Sequence, residues 1–308
     1  MISGLDPANE QFVTSLNDLQ TRFNNTQQQL STGLRVNKAS DAPQELSDIF
    51  QARADLARVT QVGQNLTTIK SQVDSADSAL QNAAQLLDQA GVLAAQGVNT
   101  TETADQRQAL ALQVQTLQSQ LVGLSRTQVD GVYIFSGDQG GSPAYQVDSA
   151  SPAGVDRLLT VQATQQIADP SGVNFPYAMT AQDLFDKRDN ADNPAPENVF
   201  AAVNSLQLAL QANDPAAISQ AIDGLHTASA YLNQQLGFYG AAQNRISASL
   251  DLAQKFQVQT QTRLSDLQDT DVTSAAVQLT QDSTNLNAVM SAQARRPQTT
   301  LFDYLPIP

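Results

Sequence analysis

The stretch LSTGLRVNKASDAPQEL, residues 30–46, separates two helical patterns and decides how the rest of the chain is read. On either side of it apolar residues recur at helical spacing. Within it the periodicity stops, and Gly33, Arg35, Lys38 and Pro43 take over. Upstream, Phe12, Leu16, Leu19, Phe23, Thr26 and Leu30 follow at steps of 4, 3, 4, 3 and 4, which is a heptad seam on one helix face. Pro7 suits the start of that helix and Gly33 its end, since glycine takes the left-handed conformation just past a helix C-terminus without a Cβ penalty. Downstream, Asp41 is expected as an N-cap, with Gln44 at the capping-box position and Pro43 in the first turn, where its missing N–H does little harm. The stretch therefore reads as a joint: a helix stop, a short extended loop and a helix start.

Past the joint, Val62, Leu66, Ile69, Val73, Ala76, Leu80, Ala83 and Leu87 keep strict 4-3 spacing, predicting a long helix that ends near Gly97. The polar turn GVNTTETADQ leads to a third helix carrying Leu110, Val114, Leu117, Leu121 and Leu124, and a turn that short makes the two helices antiparallel neighbours. From Gly131 the pattern changes. GVYIFSGDQGGSP is β-branched and aromatic, RLLTVQATQQIADPSG reads as a strand and a turn, and Pro170, Pro176, Pro194 and Pro196 forbid long helices. Helix returns with Val199, Val203, Leu206 and Leu210 on one face. Asp214 before Pro215 then starts a helix bearing Ile218, Ile222, Leu225, Leu232 and Leu236, and a further segment carries Ile246, Leu250, Ala253 and Leu264. The last heptad pattern, Ala276, Leu279, Ser283, Leu286 and Met290, is short, interrupted by Ser283 and closed by Pro297.

The expected fold is mainly α: a long antiparallel coiled-coil helical body, heptad helices at both termini, and a small β-rich inserted domain. In chain order this gives an N-terminal assembly helix and joint (1–40), the first half of the body (41–130), the β-rich outer insertion (131–196), the second half of the body (197–268) and a C-terminal assembly helix and tail (269–308). Short terminal helices depend on burial against something else. They can pair with each other or with partner subunits.

Composition narrows the chemistry. The 308 residues include no Cys, no Trp and one His, which excludes thiol catalysis, disulfides and Cys/His zinc sites. His226 lies in a helical pattern and reads as a surface or satisfied helix histidine, and the carboxylates are scattered over solvent faces without an acid/base pair. DTDVTSAAVQL and DNADNP cluster acidic and amide oxygens but lack the Gly and terminal Glu of an EF-hand loop, and read as a cap and a loop. No enzyme, cofactor or metal is expected. A net charge of −14 repels nucleic-acid phosphates and anionic lipid, and no run approaches a membrane-spanning length. MISGLDPANEQF has no signal-peptide pattern, so any export is expected to use another route.

LSTGLRVNKASDAP after an N-terminal heptad helix resembles the N-terminal signature of the bacterial flagellin superfamily. Within it the chain is most similar to the hook–filament junction proteins, the hook-associated protein 3 family. Ser40–Pro43 resembles their SDDP, with Ala42 in place of the second acid, and GVYIFSGDQ resembles their GxYIFSG strand. AQDLFDKRDN followed by ENVFAAVNSLQLAL is similar to their return from the outer domain, and TTLFDYL resembles their SLFDYL ending, although LPIP runs past it.

The resemblance implies a structural protein of the flagellum, exported by the flagellar type III apparatus with an export chaperone. It would assemble with copies of itself, as a ring or helical array, between hook-associated protein 1 and flagellin. Its terminal helices would be disordered before assembly. Phe12, Leu16, Leu19, Phe23, Leu30, Leu279, Leu286 and Met290 are the expected packing residues, and Arg35 and Lys38 the expected contacts to acidic neighbours. A flagellin-type filament subunit and a non-flagellar helical scaffold are the alternatives.

Overall fold

In a computed structural model, which describes residues 7–294, the chain is mainly helical with a small β region. Helix α1 spans Pro7–Thr32, α2 Leu46–Gly97, α3 Ala104–Ser125, α4 Ala181–Phe185, α5 Val199–Gln211, α6 Pro215–Gln268 and α7 Val272–Ala294. Six short strands form three separate antiparallel hairpins: β1 (Gln128–Val129) with β2 (Val132–Tyr133), β3 (Tyr145–Val147) with β4 (Val155–Arg157), and β5 (Gln166–Ala168) with β6 (Asn174–Pro176). Within RLLTVQATQQIADPSG, β4 ends at Arg157, residues 158–165 are irregular, and β5 with the turn after it supplies the expected strand and turn.

The chain divides into two compact units, residues 58–256 and the two flanking segments together. Both divisions fall within helices, α2 and α6, while the sequence pattern changes at the joint. The C-terminal TTLFDYL and Pro297 lie outside the described residues.

In the 58–256 unit the α2 seam does what its spacing implies: Leu66, Val73, Ala76, Leu80, Ala83 and Leu87 are buried, and the helix ends at Gly97. A Cβ on Gly97 would lie 2.4 Å from Leu210 Cδ2, so the α2 terminus approaches α5 more closely than any side chain allows. Thr103 begins α3 with a capping box, its hydroxyl accepting from Gln106 N while the Gln106 side chain accepts from Thr103 N. The α2 and α5 turns are tied by Arg107. This buried guanidinium donates to Gly97 O at 2.7 Å, Asn99 O at 2.8 Å and Asn213 Oδ1 at 2.6 Å. Carbonyls at a helix C-terminus carry the negative end of its dipole, which offsets the charge without an acid.

The β region shares this core, since Phe135, Tyr145, Val155 and Phe175 are buried in one cluster with the helical residues. The first hairpin turns at Asp130 and Gly131, both at positive φ (52° and 79°), as a two-residue turn between antiparallel strands requires. A buried carboxylate, Asp186, holds the return to α5. It accepts from Tyr145 Oη (2.9 Å), Arg188 Nε (2.7 Å) and Asn198 Nδ2 (2.7 Å), and Asn198 in turn caps α5. Burial, then the Asp186 charge, push the Tyr145 hydroxyl far above its usual range, so it stays a donor. α6 begins at the expected Asp214 cap and runs unbroken to Gln268 through Gly224, Gly237 and Gly240, joining what the sequence read as two helices.

Candidate functional site: the terminal helix pair and the joint

The smaller unit, described over residues 7–57 and 257–294, contains all the assembly residues expected from sequence. Helix α1 packs on α7. Of the two alternatives for the terminal helices, the single chain thus has mutual pairing. In the single chain α1 and α7 are helical and packed on one another.

On α1 the heptad positions are the covered ones. Phe12, Leu16, Leu19, Phe23 and Leu30 are half-buried and Thr26 is buried, while Val13 on another face is exposed. On α7 the expected Leu279, Ser283 and Leu286 are half-buried, but the two ends of that seam are not covered. Ala275 and Asp282 are buried and Leu279, Leu286 and Val289 half-buried, whereas Ala276 is exposed and Met290 is 58% exposed. Met290 is therefore not a terminal-pair packing residue. The seam is interrupted by Asp282, which the heptad reading missed because a carboxylate is a poor choice for a covered position. Its Oδ1 accepts from Arg22 on α1 at 2.9 Å and from Gln278 Nε2 at 2.9 Å.

The joint closes this unit. Gly33, at φ 72°, ends α1 with its N–H on Gln29 O at 2.8 Å, the left-handed stop expected there. The chain then lies against the α6–α7 turn: Arg35 N donates to Gln268 O at 2.7 Å, Thr270 N to Gly33 O at 2.9 Å, and Leu34 bridges Asp269 antiparallel. Val36, Ala42 and Ile49 form a small cluster with Leu264 and Leu267 packed against it. A segment polar enough to read as a plain linker is thus fixed by residues more than two hundred positions away.

Two sequence assignments change here. Asp41 does not cap α2; its Oδ2 accepts from Asn37 N (3.0 Å) and Lys38 N (2.8 Å), bracing the loop behind it, and α2 starts at Leu46 after a turn. Arg35 is occupied within the chain, paired with Glu45 and donating to Leu267 O at 2.7 Å. Lys38 is exposed and makes no ion pair among the described residues.

Asp271 caps α7, accepting from Thr273 N at 2.9 Å, Ser274 N at 3.2 Å and the Ser274 hydroxyl at 2.7 Å. The hydroxyl bond first, then the backbone N–H groups, hold its carboxyl below the usual range. Among the described residues no group of His, Cys, Asp and Glu is placed to hold a metal, and no helix is long and apolar enough to cross a membrane.

Residues 7–140 match the bacterial flagellin N-terminal helical region. The flagellin of Bacillus subtilis is 28% identical over 147 residues, which are 46% of this chain and 46% of that protein, so the chain spans about half the length of the curated relative it matches. Among solved structures, a Vibrio parahaemolyticus protein described as flagellar and hook-associated has a TM-score of 0.64 at 15% identity, over 74% of this chain and all of that one. Flagellar hook-associated protein 3 of Legionella pneumophila has a TM-score of 0.61 at 12% identity, over 71% of this chain and 98% of that one. At such identities the structural likeness is one of fold. The chain thus resembles bacterial flagellins over residues 7–140 and has the fold of hook-associated protein 3.

Proposed function

We propose that the chain is a structural component of the bacterial flagellum that joins the hook, through hook-associated protein 1, to the flagellin filament. It leaves the cytoplasm by the flagellar type III route, with an export chaperone, and works outside the cell at the hook–filament junction. The observation that carries this reading is the half-covered α1–α7 seam. Phe12, Leu16, Leu19, Phe23, Leu279 and Leu286 hide part of their surface within the chain and keep the rest for other subunits.

Exposed Val13, Val277 and Met290 add apolar surface on the same two helices. Each apolar side chain that passes from half-covered to covered contributes roughly 1 kcal/mol, and repetition around a ring or helical array multiplies that gain. The joint fixes where α1 leaves the α6–α7 turn, so every copy presents its helix pair alike. The charge of −14 keeps nucleic acid off this surface.

The match to Bacillus flagellin favours a second reading, a filament subunit. Electron microscopy of a strain lacking the gene, with a blot of its medium for flagellin, separates the two. Bare hooks with flagellin leaking into the medium are expected of a junction protein. Loss of the filament with little other flagellin to detect makes the chain a filament subunit, and unchanged flagella refute both.

A further inference from the structure

Between β4 and β5 the chain keeps the pattern of a strand but has no strand beside it. From Asp156 to Thr164 exposed and half-buried residues alternate without a break, with Leu158, Thr160 and Gln162 outward and Leu159, Val161 and Ala163 half-covered. Successive residues of an extended chain also turn their N–H and C=O groups to opposite edges. One edge is closed: Gln162 O accepts from Asp138 N at 3.1 Å, Thr164 N donates to Asp138 Oδ1 at 3.2 Å, and a Cβ on Gly137 would lie 2.5 Å from Gln162 O. The other edge belongs to Val161 and Ala163, and among the described residues nothing bonds the backbone N–H or C=O of either. Both are only half-buried, which leaves that edge at the surface. Residues 158–168, LLTVQATQQIA, contain no charge, Pro or Gly. Natural edges are usually blunted by charge or Pro, because an open row of backbone groups invites another strand. Here that guard is missing.

We propose that this edge, residues 159–165, is a self-pairing site that takes the same segment of a second copy as an antiparallel strand. The register follows from the free groups. Across a two-fold axis at Gln162, Val161 of each copy faces Ala163 of the other, and each such pair exchanges both N–H···O bonds. Thr160 then lies opposite Thr164, and Gln162 opposite its own copy, uncharged pairs that suit a sheet face. Charge selects the occupant. A second copy brings the same net charge of −14, and the neighbouring hairpins carry Asp148, Asp156 and Asp169, so among these strands the neutral edge is where two copies approach at least electrostatic cost. So few bonds make the contact weak in free solution, and it strengthens where copies are already held side by side. The proposal stands whether or not the chain is a flagellar subunit.

The test is amide hydrogen exchange of the full chain at one pH, at micromolar and at millimolar concentration, for the natural protein, Val161→Pro and Ala163→Glu. Proline removes an N–H that the pair needs, and glutamate sets like charges across the two-fold axis while keeping the backbone. Amides of residues 158–165 in the natural protein are expected to exchange about tenfold more slowly at the higher concentration and to lose that slowing in both variants, with α3 and α5 unchanged as the internal reference. If proline disturbs α3 or α5, the glutamate variant decides. Exchange over 158–165 that ignores concentration overturns the proposal, as does slowing that survives in either variant with α3 and α5 undisturbed. Slowing that appears only when purified flagellin is added gives the edge to another chain and overturns self-pairing.

Discussion

The two units use the same sequence device and bury it to different depths. In the larger unit the heptad positions of α2 are covered by helices and hairpins together, and Leu66 and Leu80 have no exposed surface. In the smaller unit the equally regular stripe of α1 meets α7, and none of its five apolar positions passes beyond half-buried. Heptad spacing therefore says which face of a helix is used, and the number of neighbours says how completely. A seam filled from within stabilises a fold, while one half filled is available to a partner.

The sharpest way to break this contrast is to truncate one leucine in each unit. Leu80→Ala should cost about 4 kcal/mol in urea unfolding of the 58–256 unit, since it removes a wholly buried side chain and leaves a cavity. Leu19→Ala should cost less, about 2 kcal/mol or under, because Leu19 is already partly exposed to water. Equal costs would erase the distinction.

A smaller effect is expected at the polar hub of the larger unit. Asp186→Asn leaves Arg188 without its buried counter-charge and replaces one acceptor oxygen by a donor, and should cost about 3 kcal/mol by the same measurement. Arg107→Met keeps the apolar stem but loses three hydrogen bonds at the α2 and α5 turns, with an expected loss of about 2 kcal/mol. Neither substitution should change exchange in α1 or α7 if the units respond separately.

The smallest effect is pH-dependent and belongs to the smaller unit. Asp271 has its folded pKa depressed from the ordinary 3.8, so the unfolded chain binds the proton first as pH falls. Its contribution is complete above that value and is lost as pH drops through the lower folded value. Fraying at the start of α7, followed by amide exchange corrected for intrinsic rates, should increase below about pH 4, and Asp271→Asn should flatten that dependence.

Much of this was legible in the sequence wherever the cause is local. Gly33 as a stop, Asp214 as a cap, the end of α2 at Gly97 and the α2, α3 and α5 seams follow from spacing and capping chemistry alone. What was not legible depends on how the chain folds back on itself, over a few residues or over hundreds. Asp41 looks like an N-cap until the preceding loop folds back and offers Asn37 and Lys38 N–H groups to it. The ends of the α7 seam were misplaced by one position because Leu279 and Leu286 fit both frames, and Asp282 sits in a covered place partly through Arg22, 260 positions away. Three glycines hid the continuity of α6, which is held by buried residues along its own length such as Leu225, Leu232 and Ile246. Arg35 was assigned outward because its acceptor, Leu267 O, lies 232 residues on.

The central claim is that the terminal helix pair serves assembly while the larger unit folds for itself. The most direct measurement replaces the chromosomal copy with a Leu19→Asp, Leu286→Asp double variant and counts filaments by electron microscopy, after confirming that its 58–256 unit unfolds at the natural urea midpoint. The account predicts a folded, exported protein, hooks without filaments and flagellin in the medium. Normal filaments on cells carrying that variant would contradict it.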